Sequence, residues 1–137
     1  MLKFHTIGQI EKNYAFENAV ASADTFNGAF GTVTSGKFSV GADASKAIMN
    51  LEVGDEANLG TYPIKKGTQV RVIDLEAFNG KTIEVYGDEL PDGVVVGNQL
   101  KSDATGALVT GASSAPYLKV TKVIANTKGV EATIVTA

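Results

Sequence analysis

Along most of the chain, apolar residues alternate with polar ones over short stretches that end at Gly, Asn or Asp. This period of two is typical of half-buried β-strands. The clearest stretch is 69–75, with the sequence QVRVIDL, and residues 81–86, 117–123 and 130–135 follow the same pattern. The spacing predicts a mainly β protein, a small β-barrel or β-sandwich of about eight to ten short antiparallel strands.

Turn residues between these stretches predict how the strands connect. Residues 32–40 form two short strands around Ser35-Gly36, and Asn79-Gly80 separates two further strand stretches. Asn-Gly favours a two-residue hairpin turn, because that turn requires positive φ at both residues. We therefore expect a hairpin at Asn79-Gly80, with the apolar residues of the following strand facing the core.

Later turns and apolar runs complete the predicted set. Asp103 can bond its own backbone and Gly106 can take positive φ, which predicts a turn between two strands. Residues 126–129 predict a closing hairpin between the last two strands. The apolar runs 48–53 and 94–96 are predicted as strands because Gly with Asp or Asn follows each of them.

Residues 1–45 follow the alternating pattern less well. They are predicted as an irregular N-terminal arm or subdomain that precedes a β-rich core domain of residues 46–137, with both parts in one compact unit. Six of the ten aromatic residues of the chain lie in this first part, among Gly, Asn and Ala. Each could pack in the core or bury ~150–250 Å² against a partner. As candidate contact residues we take Phe4, Tyr14, Phe16, Phe26 and Phe30.

Composition and charge exclude several function classes. The chain of 137 residues has no Cys, one His (His5), one Arg (Arg71) and a formal net charge of −3. It therefore forms neither disulfides nor thiolate metal sites. It also lacks the clustered basic residues that neutralise phosphates, so we expect no nucleic-acid partner. No apolar run approaches the ~20 residues of a membrane span, so we expect no membrane partner either.

Carboxylates are the remaining groups that could support chemistry. Pairs of them serve hard cations or glycoside hydrolysis. None has the ligand spacing of a calcium loop, and most adjoin Gly in predicted turns, where Asp favours a solvated position. We therefore expect no catalytic residue, no metal and no cofactor. The candidates set aside on this ground are Asp55, Glu56, Asp74, Glu76, Asp88, Glu89 and Asp92.

Two segments resemble a known family. The resemblance is to small proteins encoded beside the major capsid gene of tailed phages, and it lies in the composition and in the order of turn and apolar residues. It is carried by residues 65–81 (KKGTQVRVIDLEAFNGK) and 96–109 (VGNQLKSDATGALV), with the strand 117–123 after them. These phage proteins are described as capsid decoration, cement or head-stabilisation proteins. The resemblance extends over residues 46–137.

The resemblance implies a non-enzymatic structural protein of the virion. It would bind the major capsid protein on the outer surface of an assembled phage head, often as a homotrimer near three-fold positions. There it would stabilise the shell against genome pressure. Such a protein is made in the host cytoplasm and ends on the capsid exterior. The chain departs from the shorter lambda-type decoration proteins, whose N-terminal segment is richer in Pro, Ser and Thr, which puts the three-fold site in question.

Two other functions fit the sequence. A receptor- or glycan-binding module of a phage tail or cell surface would use exposed aromatics such as Tyr86 and Tyr117 against sugars. A hydrolase would require two carboxylates within about 5–10 Å of each other in one cleft, and the scatter of the candidates over separate predicted turns speaks against it. These candidates are Asp55, Asp74, Glu76, Asp88 and Glu89.

Overall fold

A computed structural model describes residues 2–4, 16–49, 63–87, 89–124 and 128–136. Thirteen strands and one 3₁₀ helix (Leu75–Phe78) lie in these ranges, which confirms a mainly β protein. The strands are β1 (Leu2–Phe4), β2 (Glu17–Ala21), β3 (Thr25–Phe26), β4 (Phe30–Thr34), β5 (Lys37–Val40), β6 (Lys46–Ile48), β7 (Pro63–Ile64), β8 (Gln69–Asp74), β9 (Thr82–Tyr86), β10 (Gln99–Ser102), β11 (Leu108–Thr110), β12 (Tyr117–Ile124) and β13 (Gly129–Val135).

Five strands form a closed barrel in the order β2-β5-β4-β6-β8. Neighbouring strands are antiparallel except β2 and β5, which run parallel and pair Val20 with Lys37 and Ala21 with Phe38. A parallel pair needs a long crossover. Residues 22–36, which include β3 and β4, provide it. A separate two-stranded sheet pairs β3 with β7.

The barrel interior is filled by the Phe38 ring together with alanine and β-branched side chains. The Phe38 ring is buried there, and Gly31 on the adjacent strand approaches it closely. A Cβ on Gly31 would lie 2.0 Å from Ser39 O and 2.8 Å from Phe38 Cζ. Only glycine therefore fits this position. The other interior side chains include Ala19, Ala21, Ile48, Val70 and Val72.

The second layer is a six-stranded antiparallel sheet in the order β1-β9-β13-β12-β10-β11. Its inner face packs on the outside of the barrel, where Phe30, Ala47 and Ile73 join the same apolar cluster. The 3₁₀ helix adds Leu75 and Phe78 to this cluster. The sheet contributes Ile83, Val85, Leu100, Leu118, Val120, Val130, Ala132 and Ile134, and among these Ile83 and Val85 face the core as predicted.

A buried serine joins the sheet to the barrel. The Ser102 side chain, on β10, accepts a hydrogen bond from Ala44 N (2.9 Å) and donates one to Gly41 O (2.8 Å). The main chain adds a bond from Asp43 N to Ser102 O (3.0 Å), and Asp43 pairs with Lys101 at 3.1 Å. Residues 41–44 follow β5, so this contact fixes the barrel wall against the sheet.

The boundary predicted at residue 45 falls inside the barrel, which combines strands from both sides of it. Residues 16–45 contain regular strands, whereas the sequence led us to expect an irregular arm. The pattern is weak there because inward positions on β2 hold only Ala19 and Ala21, while Val20 between them points outward. Small interior side chains therefore hid the strand period.

The predicted turns have mixed outcomes. Ser35-Gly36 links β4 to β5 with positive φ at both residues (51° and 76°), which confirms the hairpin. The hairpin predicted at Asn79-Gly80 is wrong, because β8 belongs to the barrel and β9 pairs with β1 and β13. The φ of Asn79 is −53°, which excludes a type I′ turn. The 3₁₀ helix carries the chain from one layer to the other instead.

The remaining predictions concern the second half of the chain. Gly106 N donates to Asp103 O with Gly106 at φ 83°, which confirms that turn between β10 and β11. β12 and β13 form the predicted closing hairpin, although residues 125–127 lie outside the described ranges. The sequence predicts a strand at residues 48–53. The strand β6 ends at Ile48, and residues 50–53 lie outside the described ranges. The run 94–96 is a turn region rather than a strand.

Gly31→Ala should destabilise the protein by about 3 kcal/mol, because the added methyl meets a backbone oxygen that cannot move cheaply. Urea unfolding followed by circular dichroism measures this. The matched control is Gly41→Ala, since a Cβ there meets nothing within 4 Å, and its effect should stay within about 1 kcal/mol. Equal effects of the two substitutions would contradict the packing described for the barrel interior.

Ser102→Ala should lower the free energy of unfolding by about 2 kcal/mol, because it leaves the buried N–H of Ala44 and the part-buried carbonyl of Gly41 without this partner. The urea midpoint should fall while the slope of the transition stays unchanged. Ser114→Ala, at an exposed position, is the control and should change the midpoint little. A neutral Ser102→Ala would show that the junction does not depend on this hydroxyl.

Candidate interaction surface

The predicted contact aromatics do not form one surface among the described residues. Phe30 is 2% exposed and belongs to the larger core, so its ring offers no area for a partner. Phe16 is half-buried against that core, with the Arg71 guanidinium 4.0 Å from its ring centroid. Phe26 is half-buried against the barrel interior cluster. Tyr14 and the side chain of Phe4 lie outside the described residues. A contact role for Phe16 or Phe26 stays a prediction.

The structure instead exposes a group of valines beside β12. Val95 is 58% exposed and Val96 63%, whereas Val123 on β12 is 46% exposed. Val94 and Val123 line the same groove, and Val95 and Val96 follow directly in the chain. We call Val94, Val95, Val96 and Val123 the valine surface. An apolar patch, unlike a single exposed side chain, marks an interaction site, and two consecutive exposed valines next to an apolar groove are the candidate patch here.

Main-chain hydrogen bonds hold the valines in place. Val95 N donates to Asn98 Oδ1 (2.9 Å) and Asn98 N donates to Val95 O (3.1 Å), which closes a tight turn. Gly97 N then donates to Val120 O, and Val120 N donates to Asn98 O, both at 2.9 Å. These bonds fasten the turn to the side of β12, so the valines project from a fixed backbone.

A groove of about 250 Å³ adjoins the valine surface. Its apolar lining includes Leu90 and Val130, which also belong to the core. The rim carries one ion pair, Lys128 Nζ to Asp92 Oδ1 at 3.1 Å. The Asp92 side chain is fully exposed, so this pair contributes little to stability. Because the two charges compensate each other, the rim favours neither a cationic nor an anionic partner.

The described carboxylates are not gathered into one cleft lining. Asp74 Oδ1 accepts from Glu76 N (3.0 Å), which caps the 3₁₀ helix, and Glu76 is exposed in its first turn. Glu89 is buried, and Asp92 takes part in the rim ion pair. Asp55, Glu56 and Asp88 lie outside the described residues. In the described ranges, no three His, Cys, Asp or Glu side chains are placed to hold a metal ion.

The tyrosines considered for sugar stacking differ in position. Tyr86 is buried and its hydroxyl donates to Glu84 Oε1, so its ring face is closed to a ligand. Tyr117 is half-buried at the start of β12.

Among the described residues, no helix is long and apolar enough to cross a membrane.

Glu89 lies at the base of the segment that carries the valine surface. It is 3% exposed, and burial raises the pKa of its carboxyl from 4.5 to about 7. Its main-chain oxygen accepts from Leu108 N (2.8 Å), which ties the segment to β11. Leu90, the next residue, lines both the core and the groove. These two residues therefore hold the start of the segment against the core.

Comparison with known proteins adds no relative. No family model matches the chain, and neither a curated protein nor a solved structure matches it.

Sequence reasoning missed the valine surface, although a signal for it exists. Three consecutive valines stand between Pro91-Asp92-Gly93 and Gly97-Asn98. Turn residues this close on both sides favour a loop over a long strand. A short apolar run so enclosed indicates an exposed turn as well as it indicates a strand.

The pH dependence of stability should reveal Glu89. Its raised pKa means that the folded protein binds more protons than the unfolded chain between pH 4.5 and about 7, so stability falls as pH rises through that window. Glu89→Gln stays neutral throughout. Relative to wild type it should gain roughly 2 kcal/mol between pH 5 and pH 8. Urea unfolding of both proteins at the two pH values measures the difference. A constant difference would contradict a buried titrating carboxyl.

Proposed function

We propose that the protein is a non-enzymatic structural protein of a virion, which binds the outer surface of an assembled phage capsid and stabilises it. The observation that carries the proposal is the valine surface, where three valines are about half exposed or more beside an apolar groove. Water-exposed valine is unfavourable, at about 25 cal/mol per Å². A partner that covers these side chains removes that cost.

The size of the surface indicates what kind of partner fits. A stable interface of two soluble proteins buries about 800 Å² on each side. Four valines and one groove are much smaller, and association itself costs about 4 kcal/mol or more. A single contact of this size is weak. Copies that bind side by side on a repeating shell gain affinity from their neighbours, which favours an assembled capsid over a free subunit.

The rigidity of the surface supports the same proposal. Main-chain bonds fix the valine turn to β12, and β12 is an interior strand of the sheet. A preorganised contact loses little conformational entropy when it binds. No observation on the described residues favours the glycan-binding alternative, and the buried ring of Tyr86 counts against its use there.

Co-sedimentation with phage heads tests the proposal. Labelled protein should pellet with expanded heads built from the major capsid protein of the same genome, and it should stay in solution with unassembled capsid subunits. Because the contact is apolar, binding should persist at high salt. Absence of binding to heads, or equal binding to free subunits, would refute the proposal.

Paired variants then test the surface itself. Val95→Ser combined with Val96→Ser should weaken head binding about tenfold, because it removes two exposed apolar side chains. The control is Val20→Ser, a 39% exposed valine on β2 in the barrel wall. If wild type binds and both variants bind equally well, a different face makes the contact.

A further inference from the structure

Two Asn-Gly dipeptides occur in the chain, Asn27-Gly28 and Asn79-Gly80. Asn-Gly is the dipeptide most prone to spontaneous deamidation, because glycine has no side chain to hinder ring closure. Neither serves the proposed function. Their surroundings differ sharply, and this difference sets how each can react.

The reaction needs two changes in the backbone. The main-chain nitrogen of the glycine attacks the side-chain Cγ of the asparagine, and the Cγ–Nδ2 bond breaks. The glycine N–H proton leaves with the amide group as ammonia, and a cyclic imide remains. Water then opens either C–N bond of the imide to give Asp or isoaspartate. The glycine N–H must therefore be free of its acceptor, and the asparagine ψ must rotate to bring nitrogen and Cγ together.

At Asn79 both requirements oppose the folded structure. Gly80 N donates to Ile134 O (2.8 Å), so the attacking nitrogen is held by β13. The Asn79 Oδ1 accepts from Thr136 N (3.0 Å), which directs the side chain toward the same strand end. The ψ of Asn79 is 132°, an extended value that keeps the nitrogen away from Cγ. Ring closure therefore requires the turn at 79–81 to separate from the end of β13.

That separation is a local event. Asn79 and Gly80 are both exposed, so the dipeptide is held by a few hydrogen bonds and not by side-chain packing. Exposed segments with few buried contacts open at a much lower free energy than the whole domain. Residues 79–81 take no part in the strand pairs of β9, β12 and β13, so their release does not itself break those pairs.

At Asn27 the opposite holds. Asn27 is 1% exposed, and Gly28 N donates to Ile48 O (3.0 Å) on a barrel strand. The next residues, Ala29 and Phe30, are buried in the two apolar clusters. Freeing Gly28 therefore requires the barrel wall between β4 and β6 to come apart.

We propose that Asn79 is the site at which the folded protein deamidates, through local opening of the 79–81 turn, whereas Asn27 deamidates only when the domain unfolds. Modification at residue 79 adds a negative charge. In the isoaspartate form it also adds one backbone carbon, at the point where the chain passes from barrel to sheet.

Peptide mapping by mass spectrometry tests the proposal, with the two sites as mutual controls. Purified full-length protein is incubated at pH 8 with and without denaturing urea, and conversion at both sites is followed over time. In urea the two Asn-Gly sites should convert at similar rates. In buffer both should slow, with Asn79 converting at least tenfold faster than Asn27. Equal rates at the two sites in buffer, or a rate at Asn79 unchanged by folding, would overturn the proposal.

Thr136→Pro isolates the local opening, because it removes the N–H that donates to Asn79 Oδ1. The rate at Asn79 should rise about threefold to tenfold, the equivalent of one hydrogen bond, while the rate at Asn27 stays constant. The Asn27 rate reports any loss of global stability in the variant. An unchanged rate at Asn79, or a parallel rise at both sites, would refute local opening as the route.

Discussion

The fold depends on two barrel strands that carry buried side chains on both faces. On β8, Val72 points into the barrel and Ile73 points into the core beneath the sheet. On β6, Ile48 and Ala47 divide in the same way. One layer of backbone therefore serves two cores. Since each buried aliphatic side chain stabilises by about 1.5–3 kcal/mol, loss of either core would expose the wall of the other.

This shared layer explains how the chain must travel. After β8 the next strand has to leave the barrel and join the sheet, so a tight hairpin is impossible at that point. The 3₁₀ helix makes the passage, capped by Asp74 and anchored by Leu75 and Phe78 in the common core. The return contact is made by Ser102, whose hydroxyl bonds to the segment after β5. Barrel and sheet are thus joined by apolar packing and by a polar junction.

Sequence patterns predicted the strands whose two faces differ in polarity. β9, β12 and β13 alternate because one face meets the core and the other meets water, and the turns at Ser35-Gly36 and Asp103–Gly106 follow from local backbone preferences. The passage at Asn79-Gly80 could not be predicted in this way. The dipeptide Asn-Gly fits a hairpin turn, but here β9 must join the six-stranded sheet and not the barrel. Packing against the core beneath that sheet decides this, and a local sequence pattern contains no information about it.

Strand β2 of the barrel was missed for a related reason. Its inward positions hold Ala19 and Ala21, which pack in the same cluster as the buried Phe38 ring. When the buried positions of a strand are alanines, the alternation of apolar and polar residues is too weak to identify the strand from sequence. The described aromatic residues of 16–49 pack in the two apolar clusters. Phe30 and Phe38 are buried, in the core and in the barrel respectively.

The valine surface follows the opposite logic. A run of three valines predicts burial, because exposed valine gains nothing from folding, yet Val95 and Val96 lie on a turn that the sheet holds out to solvent. Contact of these two side chains with water is unfavourable in free energy, and only a surface that covered them would remove this unfavourable term. The interior strand β12 holds the backbone of this turn in place. A partner that binds the valines would therefore lose little free energy to ordering of the backbone. The proposed binding to a repeating capsid surface rests on this fixed backbone.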